Sequence, residues 1–94
     1  MTREVSHEPD ASRYVMRDGD VVLAIADYTI RGNSISFTHT YTQPRLRGQG
    51  LAGEVVDFAM DDVERTTALR VVPMCWYVAE WFDKHPERAA LLSR

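Results

Sequence analysis

Residues Ser34–Thr42 alternate without a break: Ile35, Phe37, His39 and Tyr41 fall on one side, and Ser36, Thr38, Thr40 and Thr42 on the other. A period of two is what a strand with one face toward a core requires. Two extended stretches precede it. Residues 13–17 put Tyr14 and Met16 on one side, and residues 21–30 form an aliphatic, β-branched run that is largely apolar on both faces. Such a run is expected in a central strand packed on two sides. Asp18-Gly19-Asp20 and Arg31-Gly32-Asn33 separate the stretches and read as turns. Strands joined by turns this short run antiparallel to their neighbours, so residues 13–42 are expected to form a three-stranded meander.

Beyond Thr42 the period changes. Arg45-Leu46-Arg47-Gly48-Gln49-Gly50-Leu51-Ala52 opens a run in which Leu51, Val55, Ala59 and Val63 share one helical face. Residues 50–66 are expected to be an amphipathic helix with Glu54, Asp57, Asp61 and Glu64 in solvent. Glycines before a helix let the backbone take positive φ and let a ligand approach without meeting a Cβ. The free N–H groups of the first turn, helped by the helix dipole, then suit an anion such as phosphate. The bland alternative is that the glycine pair only makes a turn.

Leu69 to Val72 is a short β-branched run ended by Pro73, and residues 74–84 carry Trp76, Val78, Ala79 and Phe82 at helical apolar positions. His85-Pro86-Glu87 interrupts this helix, and residues 87–92 can form a last short one. The expected order is βββ-α-β-α, an α/β protein with a mixed, mainly antiparallel sheet and flanking helices. Residues 1–12 are polar and are expected to be a loose lead-in to one domain spanning residues 13–94.

Charge and cysteine usage exclude several classes. Basic residues number 11 against 14 acidic ones, a net charge of −3, which gives no support for nucleic-acid binding beyond a local patch at Arg45 and Arg47. The single Cys75 rules out an internal disulfide framework and suits a reducing compartment. No apolar run approaches a membrane span or a signal-peptide core, so a cytoplasmic location is expected. The histidines and carboxylates show no metal-ligand spacing, and no metal is expected.

The segment Arg45-x-x-Gly48-x-Gly50-Leu51-Ala52 resembles the acetyl-CoA signature Q/R-x-x-G-x-G/A of the GNAT superfamily of N-acetyltransferases. Asp27-Tyr28, Phe37-Thr38-His39-Thr40, Val71-Val72-Pro73-Met74-Cys75-x-Tyr77-Val78 and His85-Pro86-Glu87 follow the order found in its small single-domain members, the NATD-type acetyltransferase-like proteins. The resemblance implies a minimal GNAT (acyl-CoA N-acyltransferase) fold. It also implies a sheet splayed near its middle to admit acetyl-CoA, and acetyl transfer from the thioester to an amine, either a small molecule or a protein. CoA would be held by Thr40, Arg45, Arg47, Gly48, Gln49, Gly50, Leu51, Ala52, Cys75 and Tyr77, with its pyrophosphate on the main chain of residues 47–52. Main-chain N–H groups of the strand before the loop would hold the thioester carbonyl.

Catalysis would fall to His39 and Cys75. Imidazole titrates near neutrality and can take the amine's proton. Cys75 stands at a helix start, where a thiol's pKa falls, and the resemblance puts it near the CoA sulfur. Each has a plainer reading: His39 as a hydrogen-bonded core residue and Cys75 as a small buried hydrophobe. Tyr41 stands where many relatives carry a glutamate, so a carboxylate base at that position is missing. The expected activity is an acetyl-CoA-dependent N-acetyltransferase, with a CoA or acyl-CoA-binding module and a purely structural domain as the alternatives. A homodimer is compatible with the sequence.

Overall fold

A computed structural model describes residues 3–94. Its sheet has the strand order β1-β2-β3-β4-β5, with β1 at Glu4–Glu8, β2 at Arg13–Asp18, β3 at Val21–Arg31, β4 at Ser34–Thr42 and β5 at Arg70–Pro73. The first four strands form an antiparallel meander, and β5 pairs parallel to β4. Helix α1, Leu51–Thr66, is the crossover between β4 and β5, and helix α2, Trp76–Lys84, follows β5. Short 3-10 turns occupy Pro9–Ala11, Pro44–Leu46 and Pro86–Leu92. Among the described residues no helix is long and apolar enough to cross a membrane.

The mixed, mainly antiparallel sheet and the α-β-α ending agree with the expectation, but the meander has one more strand. Glu4–Glu8 lies in the stretch expected to be a loose lead-in, and it pairs with β2 from Glu4↔Arg17 to Glu8↔Arg13. Its polar side chains hid it, because what holds this edge strand is mostly not burial. Glu8 accepts from Arg13 at 2.9 Å and from Arg17 at 2.9 Å, and His7 stacks on Tyr14 with centroids 4.3 Å apart. Met1 and Thr2, the start of that lead-in, lie outside the described residues.

The core forms where α1 lies on the sheet. Leu51, Val55, Val56, Ala59, Met60 and Val63 are buried against Tyr14, Met16, Ala24, Ala26, Tyr28, Ile35 and Phe37. Burial of a Val or Leu side chain of this kind contributes about 1.5–3 kcal/mol, so this face suffices to fix the helix on the sheet. Helix α2 packs beside α1 through Val78, Trp81 and Phe82, and Trp81 Nε1 donates to Asp57 Oδ1 at 2.7 Å.

Two bulges reshape the meander. Met16↔Ala24 is followed by Arg17↔Val22, which leaves Leu23 as an extra residue in β3. Asp27↔His39 is followed by Tyr28↔Phe37, which leaves Thr38 as the extra residue in β4. An extra residue shifts all later side chains to the opposite face. This corrects the simple alternation expected for β4. Ile35 and Phe37 face the core, but His39 and Tyr41 fall on the other face with Asp27 and Ile25, exposed, while Thr40 and Thr42 turn to the core side.

Candidate active site

The parallel ladder between β4 and β5 is short. It runs from Ser34↔Arg70 to Phe37↔Pro73 and stops there. Pro73 has no N–H to offer, and the chain turns away, with Met74 N donating to Val72 O at 3.1 Å and Cys75 N to Phe37 O at 2.9 Å. Beyond that bond, among the described residues, no strand lies beside residues 38–42 of β4 on this side. An open cleft of about 910 Å³ begins where the pairing ends, bounded by residues 38–42, the glycine loop and residues 74–77. Both the splay and its position follow from local chemistry: a bulge at Thr38 on one strand and a proline on the other.

The glycine loop closes the opposite wall. Gln43 anchors its start, through its main-chain N–H to Leu23 O at 2.9 Å and its Nε2 to Val22 O at 2.9 Å. Both acceptors belong to the bulged part of β3, so the bulge at Leu23 helps to set the loop's position. Leu46 is buried and pins the 3-10 turn to the core. Gly48 and Gly50 then adopt φ of 88° and 77°, a region costly for other L-residues. A Cβ added at either would meet nothing within 4 Å. The glycines are thus required by backbone angle, and the space over them is open to a ligand. Among the described residues, the N–H groups of residues 48–53 have no main-chain acceptor. Gly50 is the N-cap of a 16-residue helix, so these donors coincide with the positive end of its dipole.

Cys75 is the N-cap of α2 and lies across the cleft from β4, its Sγ 3.6 Å from Thr40 Oγ1. Burial opposes ionisation of this thiol. The Thr40 hydroxyl and the main-chain N–H groups of Val78, Tyr77 and Thr40 outweigh that effect, and its pKa is lowered. Donors that stabilise a thiolate also make the space beside it favourable to negative charge. Tyr77 stands on the next residue but one of the wall, with its hydroxyl so near the first turn of α1 that a Cβ on Gly53 would lie 3.3 Å from it. Burial is the main cause that raises the Tyr77 pKa, and the phenol keeps its proton.

The cleft lining brings together nine of the residues singled out from the sequence: His39, Thr40, Arg47, Gly48, Gly50, Leu51, Ala52, Cys75 and Tyr77. Arg45 and Gln49 stand outside it: Arg45 Nε donates to Gln43 Oε1 at 3.0 Å, and Gln49 Oε1 accepts from Arg3 at 3.2 Å. His39 reaches the lining from the exposed side of β4 and not from the core face. Thr38, Met74 and Trp76 also line the cleft, and sequence reasoning did not point to them as site residues. For Met74 and Trp76 the available signal was their place on either side of a candidate cysteine; nothing in the sequence marked Thr38.

A family model described as GCN5-related N-acetyl-transferase matches residues 13–91. No curated protein matches the chain. The match covers nearly every strand and helix that shapes the cleft, and the chain belongs to the GCN5-related N-acetyl-transferase family.

Proposed function

We propose that the protein is an acetyl-CoA-dependent N-acetyltransferase whose substrates meet in the cleft between β4 and β5. One observation carries this reading: the free main-chain edge of residues 38–42 and the free N–H groups of Gly48, Gly50, Leu51 and Ala52 line the same cleft. A molecule that satisfies both must be long, with amides along one part and an anion at its end. CoA has that constitution. Its pantetheine amides pair with the β4 edge as an added strand would, and its pyrophosphate rests on the loop, with Arg47 adding a cation. The thioester then falls near Thr40 and Cys75, where the donors around the sulfur favour negative charge on the carbonyl oxygen as the amine attacks.

In this reading His39, on the other face of β4, takes the proton that the amine releases, and Cys75 lines the cofactor channel. Tyr77 remains protonated and can donate to the departing sulfur. A CoA or acyl-CoA-binding module is the second reading, favoured by one observation. Tyr41 is exposed on the rim where a carboxylate base would act, and among the described residues no Asp or Glu lines the cleft.

Calorimetric and thermal-shift titration with CoA and acetyl-CoA tests both, since a ligand that binds only the folded state raises its stability. Binding with a rise in melting temperature is expected. No heat and no shift at millimolar ligand would sink both readings together, and binding without turnover of any amine would select the second.

A further inference from the structure

Resting on the acetyl-transfer reading, we infer that the acceptor is a weakly basic amine on an aromatic body, of the arylamine class. The charge of the cleft is the first reason. Among the described residues that line it, Arg47 carries the only permanent charge. An alkylamine such as a lysine side chain, with an ordinary pKa near 10.4, arrives as a cation, and its nucleophilic free base is on the order of one part in a thousand at pH 7. Such a substrate needs a carboxylate to hold it and a base to strip it. Among the described residues this cleft offers no carboxylate, and its one guanidinium serves the pyrophosphate. An arylamine has its nitrogen lone pair drawn into the ring and is uncharged near neutrality, so it needs no carboxylate to hold it and no deprotonation before it attacks; His39 takes its proton only as the N–C bond forms.

The second reason is the rim. Met74 is 67% exposed, Trp76 72% and Tyr41 39%, and all three line the same opening. Trp76 is braced edge-on against Tyr77, with centroids 5.7 Å apart and planes at 77°, so its exposed ring is held ready for stacking. Flat apolar guests gain most on such a surface. In the reaction the amine nitrogen bonds to the acetyl carbon and the C–S bond breaks with its electron pair on sulfur. The proton lost from nitrogen ends on the CoA thiol.

The experiment compares initial rates of CoA release from acetyl-CoA with 4-methylaniline, 4-methylbenzylamine and a blocked lysine. The first two share size and apolarity and differ in basicity. At pH 7 the kcat/KM for 4-methylaniline should exceed that for 4-methylbenzylamine at least tenfold. Between pH 7.5 and 9 the arylamine rate should stay level while the benzylamine rate climbs. Trp76→Ala should raise the KM for 4-methylaniline about tenfold. Faster turnover of 4-methylbenzylamine or blocked lysine at pH 7 would overturn the inference, as would a parent-like KM in Trp76→Ala or CoA binding with no turnover of any of the three. These outcomes leave CoA binding intact; loss of CoA binding itself, read by calorimetry, overturns the acetyl-transfer reading instead.

Discussion

Replacing Gly50 by alanine separates the two demands that the glycine loop makes on its backbone. Gly50 sits at φ 77° and ψ 17°, and a Cβ there meets no atom within 4 Å. The cost to folding is therefore the left-handed conformation alone, about 1–2 kcal/mol. A chain of 94 residues unfolds with an entropy of roughly 0.2 kcal/mol/K, so Tm should fall by about 5–10 °C. Gly32 supplies the control, because it has φ 54° and an equally empty surrounding but lies in the β3–β4 turn. Gly32→Ala should lose a similar amount of stability. The two variants part on ligand binding. At Gly50 the new methyl occupies space proposed for phosphate, and a lost charge-assisted hydrogen bond is worth about 1.5–3 kcal/mol, or roughly 10- to 100-fold in Kd. Thermal unfolding without ligand and calorimetry with CoA, on both variants, make the comparison. If Gly50→Ala binds CoA like the parent, the phosphates do not lie on this loop. If Gly32→Ala weakens binding as much as Gly50→Ala, the effect is one of general stability and the reasoning fails.

His39→Ala should lower kcat by about 100-fold, whereas Cys75→Ala should keep partial activity, and intact-protein mass spectrometry after acetyl-CoA alone should show no stable acetyl adduct. A retained adduct, or full activity in His39→Ala, would reverse those roles. Alkylation of Cys75 by iodoacetamide should show its midpoint below the ordinary thiol value, since the pKa is lowered. Thr40→Val removes one donor and should move that midpoint upward; an unmoved midpoint would mean the Thr40 hydroxyl does not act on the sulfur. Tyr14→Phe should cost about 1–2 kcal/mol in urea unfolding, because the buried Tyr14 hydroxyl donates to Asp62 Oδ2 at 2.6 Å. Parent stability in this variant would show that the bond contributes nothing net.

The parts of the fold that the sequence announced are those where side chains repeat with a clear period. Leu51, Val55, Ala59 and Val63 mark α1, and all are buried. The positive φ at Gly48 and Gly50 is one that glycine alone adopts readily, while α2, expected from residue 74, begins at Trp76 with Cys75 as its N-cap. The β1 strand was hidden because Glu4, Ser6 and Glu8 put no apolar side chain on their face; the strand depends on backbone pairing and on two arginines of the neighbouring strand β2. The face that His39 presents was hidden for a different reason. Ser34–Thr42 alternates perfectly, and nothing in it marks Thr38 as the residue that the ladder leaves out. Only the pairing with β3, where Asp27 and Tyr28 are adjacent but their partners are two apart, reveals the shift. The cleft depends on that shift and on the early end of β5, so its walls were legible residue by residue while its shape was not.

An unpaired strand edge ordinarily invites growth, since each chain that adds presents a fresh edge for the next. Residues 38–42 form such an edge, but within the sheet rather than at its rim. Whatever lies along them has residues 74–77 and the start of α2 on its far side, so it presents no new edge to a later arrival. The site can take a single guest layer and then stops. This inner edge thereby keeps the hydrogen-bonding capacity of an open strand, available to a thin extended ligand, without itself being a template from which copies of the chain could polymerise.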